Sequence, residues 1–164
     1  MPENIYSEEE QALFNPAYTG FLLLTMIREY SSECETGMHC ALPFLLLPMA
    51  LNPTIATQLP NNKRSSLLAW ITSHHGELSD FAELAKTYQP IVMTAITFLI
   101  EKSLLDLSDK GEFQLRATSL PKNPSLFSEN VSMRSVMRTA GFLGRWFAHA
   151  PPVETLYSHL GVRP

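Results

Sequence analysis

Apolar positions recur at helical spacing over most of this chain. Ala17, Phe21 and Leu24 share one helix face with Arg28, and Leu22, Met26 and Tyr30 share the next. A segment that is apolar over most of its circumference belongs at the centre of a fold. Asn15 followed by Pro16 supplies an N-cap and a first helical residue, so a helix is predicted from there to about Tyr30. Gly37 breaks the chain. ALPFLLLPMAL follows, and its apolar run fits a buried helix kinked at Pro48 or a buried strand. Leu, Met and Ala without β-branched residues favour the helix. NPTIATQLP predicts a short helical turn between Pro53 and Pro60, and NNKR a polar loop. Ser65 or Ser66 then caps a helix on which Leu67, Trp70, Ile71 and His74 share a side.

The next segment changes period. Ser79 is expected to cap a helix of about ten residues, with Glu83 supporting the cap. A second helix is predicted from Pro90 to Lys102, with Ile91, Ala95, Phe98 and Leu99 at helical spacing. LLDLS and EFQLR alternate as short strands around Asp109-Lys110-Gly111, a hairpin turn in which Gly111 can take positive φ. Helix, helix and hairpin is the order of a winged helix-turn-helix. TSLPKNPSLF is a linker, and a long helix is predicted from about Ser128 to His149. Its stripe is Val136, Ala140, Leu143 and Phe147, flanked by Met133, Met137 and Gly144. Arg134, Arg138 and Arg145 fall on one expected exposed face. Pro151-Pro152 stops this helix, and VETLYSHL forms a last one ending at Gly161. The expected architecture is a single domain over 1–164, mainly α. It has an acidic lead-in at 1–10, a winged-helix-like module with a β-hairpin wing at 65–117, and C-terminal helices at 128–164.

Composition narrows the function classes. The chain has 164 residues, of which 45% are hydrophobic and only 17% charged. So little polar cover suggests a subunit that hides surface against partners. The net charge of −4 excludes a generally basic nucleic-acid binder. It is unevenly spread: residues 1–35 hold seven acids and one base, whereas the stretch from Val131 onward holds four arginines and one acid. Two cysteines are too few for a disulfide scaffold, and the acidic N-terminus does not resemble a signal peptide. The longest apolar stretch is too short to span a bilayer, so no membrane association and a cytoplasmic setting are expected.

Catalytic patterns are missing from the sequence. It has no nucleophile elbow, phosphate-cradling glycine loop or zinc-protease helix, and no cofactor is expected. Cys34, His39 and Cys40, with His74 and His75, could make a small metal enzyme, but C-x4-H-C fits no standard zinc spacing and small core cysteines explain it better. Trp70 and Trp146 are expected as packing anchors rather than a ligand cage. The presumptive recognition helix, PIVMTAITFLIEKS, is almost entirely apolar, with Glu101 and Lys102 only at its end, whereas base readout needs exposed Arg, Asn or Lys, so it suits a protein surface better than DNA.

NPAYTGFLLLTMIREY, LPFLLLPMAL, the Gln58-Leu59-Pro60 turn and LGRWFAHAPPVETLYSHLGVRP resemble, in that order and spacing, the middle component of bacterial three-component ABC systems. The most specific pieces are Asn15-Pro16-Ala17, Gly144-Arg145-Trp146-Phe147 and Gly161-Val162-Arg163-Pro164. Such systems are similar to antiphage and antiplasmid defence operons, the Lamassu group among them. The resemblance implies an SMC- or Rad50-like ABC ATPase that senses DNA, an effector, often a nuclease, joined to a shared C-terminal domain, and a small non-catalytic middle component that couples them. Any DNA contact would then be indirect, through the complex. It also marks Arg145, Trp146, Phe147, Arg163 and Pro164 as partner contacts, beside Arg134 and Arg138 from helical spacing. For Trp146 and Phe147, plain core packing is an equal alternative. A winged-helix DNA-binding transcriptional regulator is the runner-up.

Overall fold

The computed structural model describes residues 15–116 and 120–163. Asn15 caps helix α1 (Pro16–Ser31), its Oδ1 accepting the Ala17 N–H at 3.0 Å. This helix is the core's axis. Leu22, Leu23, Leu24, Met26 and Ile27 are wholly buried, as an all-round apolar helix should be. A two-residue strand β1 (Met38–His39) leads to α2 (Pro43–Leu51) and α3 (Pro53–Gln58). The ambiguous apolar run is thus a helix, with Pro48 inside it and Leu45, Leu46 and Leu47 wholly buried. Asn52 caps α3, and Ser66 caps α4 (Leu67–Ser73) through the Ala69 N–H at 3.3 Å.

The helix-turn-helix expected at Ser79–Lys102 is not formed. One helix, α5 (Phe81–Glu101), runs through Pro90 without a break. Pro90 lies on the exposed side and removes only its own hydrogen bond to the preceding turn. Ala85, Val92, Ala95, Ile96 and Leu99 stay buried on the other side, and that burial keeps the helix whole. Asp80, not Ser79, takes the N-cap position, and its side chain makes no capping bond. Replacing Pro90 with Ala should therefore raise stability by about 1–3 kcal/mol, since proline is the costliest residue in a helix interior. Urea unfolding measures this, and a destabilised variant would show that the proline ring itself is needed at this position.

The hairpin forms where expected, as β2 (Leu105–Leu107) and β3 (Glu112–Leu115), with Leu107 opposite Phe113 and Gly111 at φ +74°. Strand β1 completes an antiparallel sheet in the order β1-β3-β2, pairing Met38 with Phe113. The sheet therefore reaches back to residue 38, outside the 65–117 module expected from sequence. Gly37 admits this pairing: a Cβ there would lie 2.6 Å from the Phe113 carbonyl oxygen.

The C-terminal part is a short α6 (Ser125–Ser128), then α7 (Val131–Phe147) capped by Asn130, then α8 (Val153–Leu160) ended by Gly161 at φ +67°. The long helix thus starts three residues later than predicted. Helix α1 packs chiefly against α7 and α5, and α2 fills the space between those two. Among the described residues, no helix is long and apolar enough to cross a membrane.

Candidate partner-binding surface

Helix α7 brings five of the seven proposed contact residues onto one element, but gives them different tasks. Gly144 lets it cross α1 closely, since a Cβ would come within 2.3 Å of the Met26 carbonyl oxygen. Arg145 is tied to the neighbouring helix. It is half-buried, and its Nη1 donates to Glu29 Oε2 on α1 at 2.6 Å. Trp146 and Phe147 are core residues, with 1% and 2% exposure. The indole Nε1–H donates to the Ser65 carbonyl at 2.8 Å, and the ring meets Trp70 edge-on at 5.4 Å. Gly-Arg-Trp-Phe is therefore an internal latch between α1, α7 and the loop before α4. Trp146 and Phe147 thus take the core-packing alternative in this fold, whereas Arg145 keeps 36% of its side chain exposed beside its bond to Glu29.

Arg134 and Arg138 are exposed, as expected, and neither forms an ion pair among the described residues. Arg163 is exposed beyond Gly161. Pro164, and the acidic start at 1–10, lie outside the described residues. Helix α8 is fixed in place by Tyr157, whose hydroxyl donates to the Ala41 carbonyl at 2.8 Å. Burial pushes that phenol up to about 12.

A cleft of about 780 Å³ with a mixed polar and apolar lining, which the sequence did not reveal, opens beside Trp146 and is lined by Glu33, Lys63, Arg64, Ser66, Leu68 and His149 among others. Glu33 is its hinge. Its carboxylate takes Lys63 Nζ at 2.5 Å and His149 Nε2 at 2.9 Å, joining the end of α1 to the loop before α4 and the exit of α7. These groups are 30 and 116 residues from Glu33 in sequence, so no local motif could announce them. The hydrogen bond from Lys63, then that from His149, holds the Glu33 carboxyl below its ordinary range. A carboxyl lowered by folding stabilises above its unfolded pKa and loses that contribution as pH falls through the folded one. Glu33→Gln should therefore be less stable than wild type at neutral pH, with the gap closing below about pH 4. Melting curves across pH test this, and a gap constant down to pH 3 or so would contradict it.

The candidate metal ligands make other contacts. His39 Nδ1 accepts the Ala41 N–H at 3.1 Å, and Cys34 Sγ contacts the Tyr30 carbonyl at 3.6 Å. No group of three His, Cys, Asp or Glu side chains suited to a metal ion occurs among the described residues.

These observations define a helical body whose signature residues hold its own elements together and whose unpaired arginines face outward. The chain belongs to the family described as ABC-three component (ABC-3C) system Middle Component 3, which it matches over residues 3–164. No curated protein and no solved structure matches it.

Proposed function

We propose that this chain is a non-catalytic bridging subunit. It couples an SMC- or Rad50-like ABC ATPase to an effector, often a nuclease carrying a shared C-terminal domain, in a prokaryotic antiphage or antiplasmid defence complex of the Lamassu kind acting in the cytoplasm. The observation that carries this is the middle-component match over nearly the whole chain. The action is mechanical: the body holds the effector inactive on the ATPase and passes on a conformational change when the ATPase engages DNA. Arg134, Arg138 and Arg163 remain the partner-contact positions, because they are exposed and cationic.

The hairpin β2–β3 after α5, joined by β1 in the sheet order β1-β3-β2, is the feature in keeping with a winged helix, the hairpin being the wing. That same order is what favours the alternative, a DNA-binding regulator. The outward face of α5 speaks for the bridge. From Pro90 to Ile100 its exposed positions are Pro90, Met93, Thr94, Thr97 and Ile100, with no basic or amide side chain to read bases.

The test is affinity capture of the tagged chain co-expressed with each of the other two subunits separately. The bridge predicts that each is retained. Retention of neither, together with a sequence-specific shift of promoter DNA by the chain alone, would replace it with the regulator.

A further inference from the structure

We infer that the outward face at the start of α7 docks an acidic, apolar-bearing segment of a partner subunit, an inference that rests on the bridging role proposed above. Val131, Arg134, Ser135 and Arg138 stand at i, i+3, i+4 and i+7, so they share one helix face, and all four are exposed. Val131 is 72% exposed, and Leu126 in the turn just ahead is 74% exposed. That turn is anchored rather than loose: Phe127 packs against the rings of Tyr18 and Phe21, each at 5.5 Å. Leu126 is thus held out in water beside an inward-facing neighbour.

The face is also electropositive without local compensation. Arg145 on the same helix has its carboxylate, but Arg134 and Arg138 have none among the described residues. The first turn of α7 carries no acidic residue, although the helix dipole favours one there. From Leu120 to Arg138 the sequence holds Lys122, Arg134 and Arg138 against Glu129 alone.

The two properties together select the occupant. Phosphates would satisfy the arginines but offer nothing to Leu126 and Val131, and duplex binding is built from more basic contacts than these. A peptide with carboxylates flanking an aliphatic or aromatic side chain satisfies both, because a guanidinium fork pairs carboxylates in two-point geometry while the aliphatic residues lose water.

The experiment uses the full chain co-expressed with the system's other two subunits. Leu126 and Val131 are each replaced by the photo-crosslinker benzoylphenylalanine, and the adduct is mapped by mass spectrometry. The expected adduct is one partner peptide with Asp or Glu flanking an apolar residue. In parallel, Arg134→Glu/Arg138→Glu should weaken the complex by about tenfold or more while leaving the melting of the isolated chain unchanged. Reversing the mapped partner acids to Arg should restore binding. An intact complex with no adduct, or adducts only to DNA or to residues 1–14 of this same chain, overturns the inference and leaves the bridge standing. If the wild-type chain captures neither subunit, the bridging role fails and this inference fails with it.

Discussion

Replacing Trp146 with Ala is expected to cost about 3–5 kcal/mol, the range for truncating a large aromatic in a packed core. The side chain is 1% exposed and lies among the rings of Trp70, Phe142 and Phe147, with centroids 5.4, 5.6 and 5.9 Å away. Edge-to-face aromatic pairs add to the area they bury. The substitution also leaves the Ser65 carbonyl without the indole donor that reaches it at 2.8 Å. A domain of this size has roughly 5–15 kcal/mol of stability in all, so the variant would be marginally folded. Urea unfolding of the isolated chain measures the loss. A loss under about 1 kcal/mol, combined with failed partner binding, would favour the partner-contact role for Trp146 over core packing.

Gly144 and Gly141 give a second large expectation, in opposite directions three residues apart. A Cβ on Gly144 would meet the Met26 carbonyl oxygen at 2.3 Å, its carbon at 3.0 Å and its Cα at 3.1 Å. Those are backbone atoms of the neighbouring helix, which cannot swing aside, so α1 and α7 must separate. Gly144→Ala should therefore destabilise by about 1–3 kcal/mol or more, the usual cost of overfilling a core. The nearest atoms to a Cβ on Gly141 are Glu29 Cγ at 3.6 Å, Arg145 Nη1 at 3.7 Å and Thr25 Cγ2 at 3.9 Å. Those are ordinary contacts, so Gly141→Ala should stabilise by up to about 1 kcal/mol from helix propensity. Thermal melts of the pair check the helix crossing directly, and equal effects would mean that the two helices do not meet at Gly144.

Local chemistry was legible in the sequence, and long-range pairing was not. Asn15-Pro16, Ser66, Gly111 and Gly161 each act through neighbours within a few residues, and each sits where its type predicts. The apolar run at 41–51 was readable as helix because composition broke the tie that periodicity left. Pro90 misled because its effect on a helix depends on what the other face buries, which is a tertiary property. Strand β1 is two residues long and depends on Phe113, too far along the chain to signal itself. The candidate surface divided on the same principle. Spacing placed Arg134, Arg138 and Arg145 on one face, and only the fold shows that Glu29 takes the third. Gly-Arg-Trp-Phe was identifiable as a signature, but whether it faced inward could not be read from one chain's residues. Glu33, Lys63 and His149 carried no signal, since nothing local relates them.

The two exposed arginines of α7 and the uncharged exposed positions of α5 between Pro90 and Ile100 lie on different helices, which gives a bridging subunit separate elements with which to meet separate partners. The most direct test of the bridge is native mass spectrometry of the ATPase and effector subunits mixed with and without this chain. The account predicts a ternary complex when the chain is present and no ATPase–effector complex when it is omitted. An ATPase–effector complex that forms without the chain, at the same concentrations and to the same extent, would contradict it.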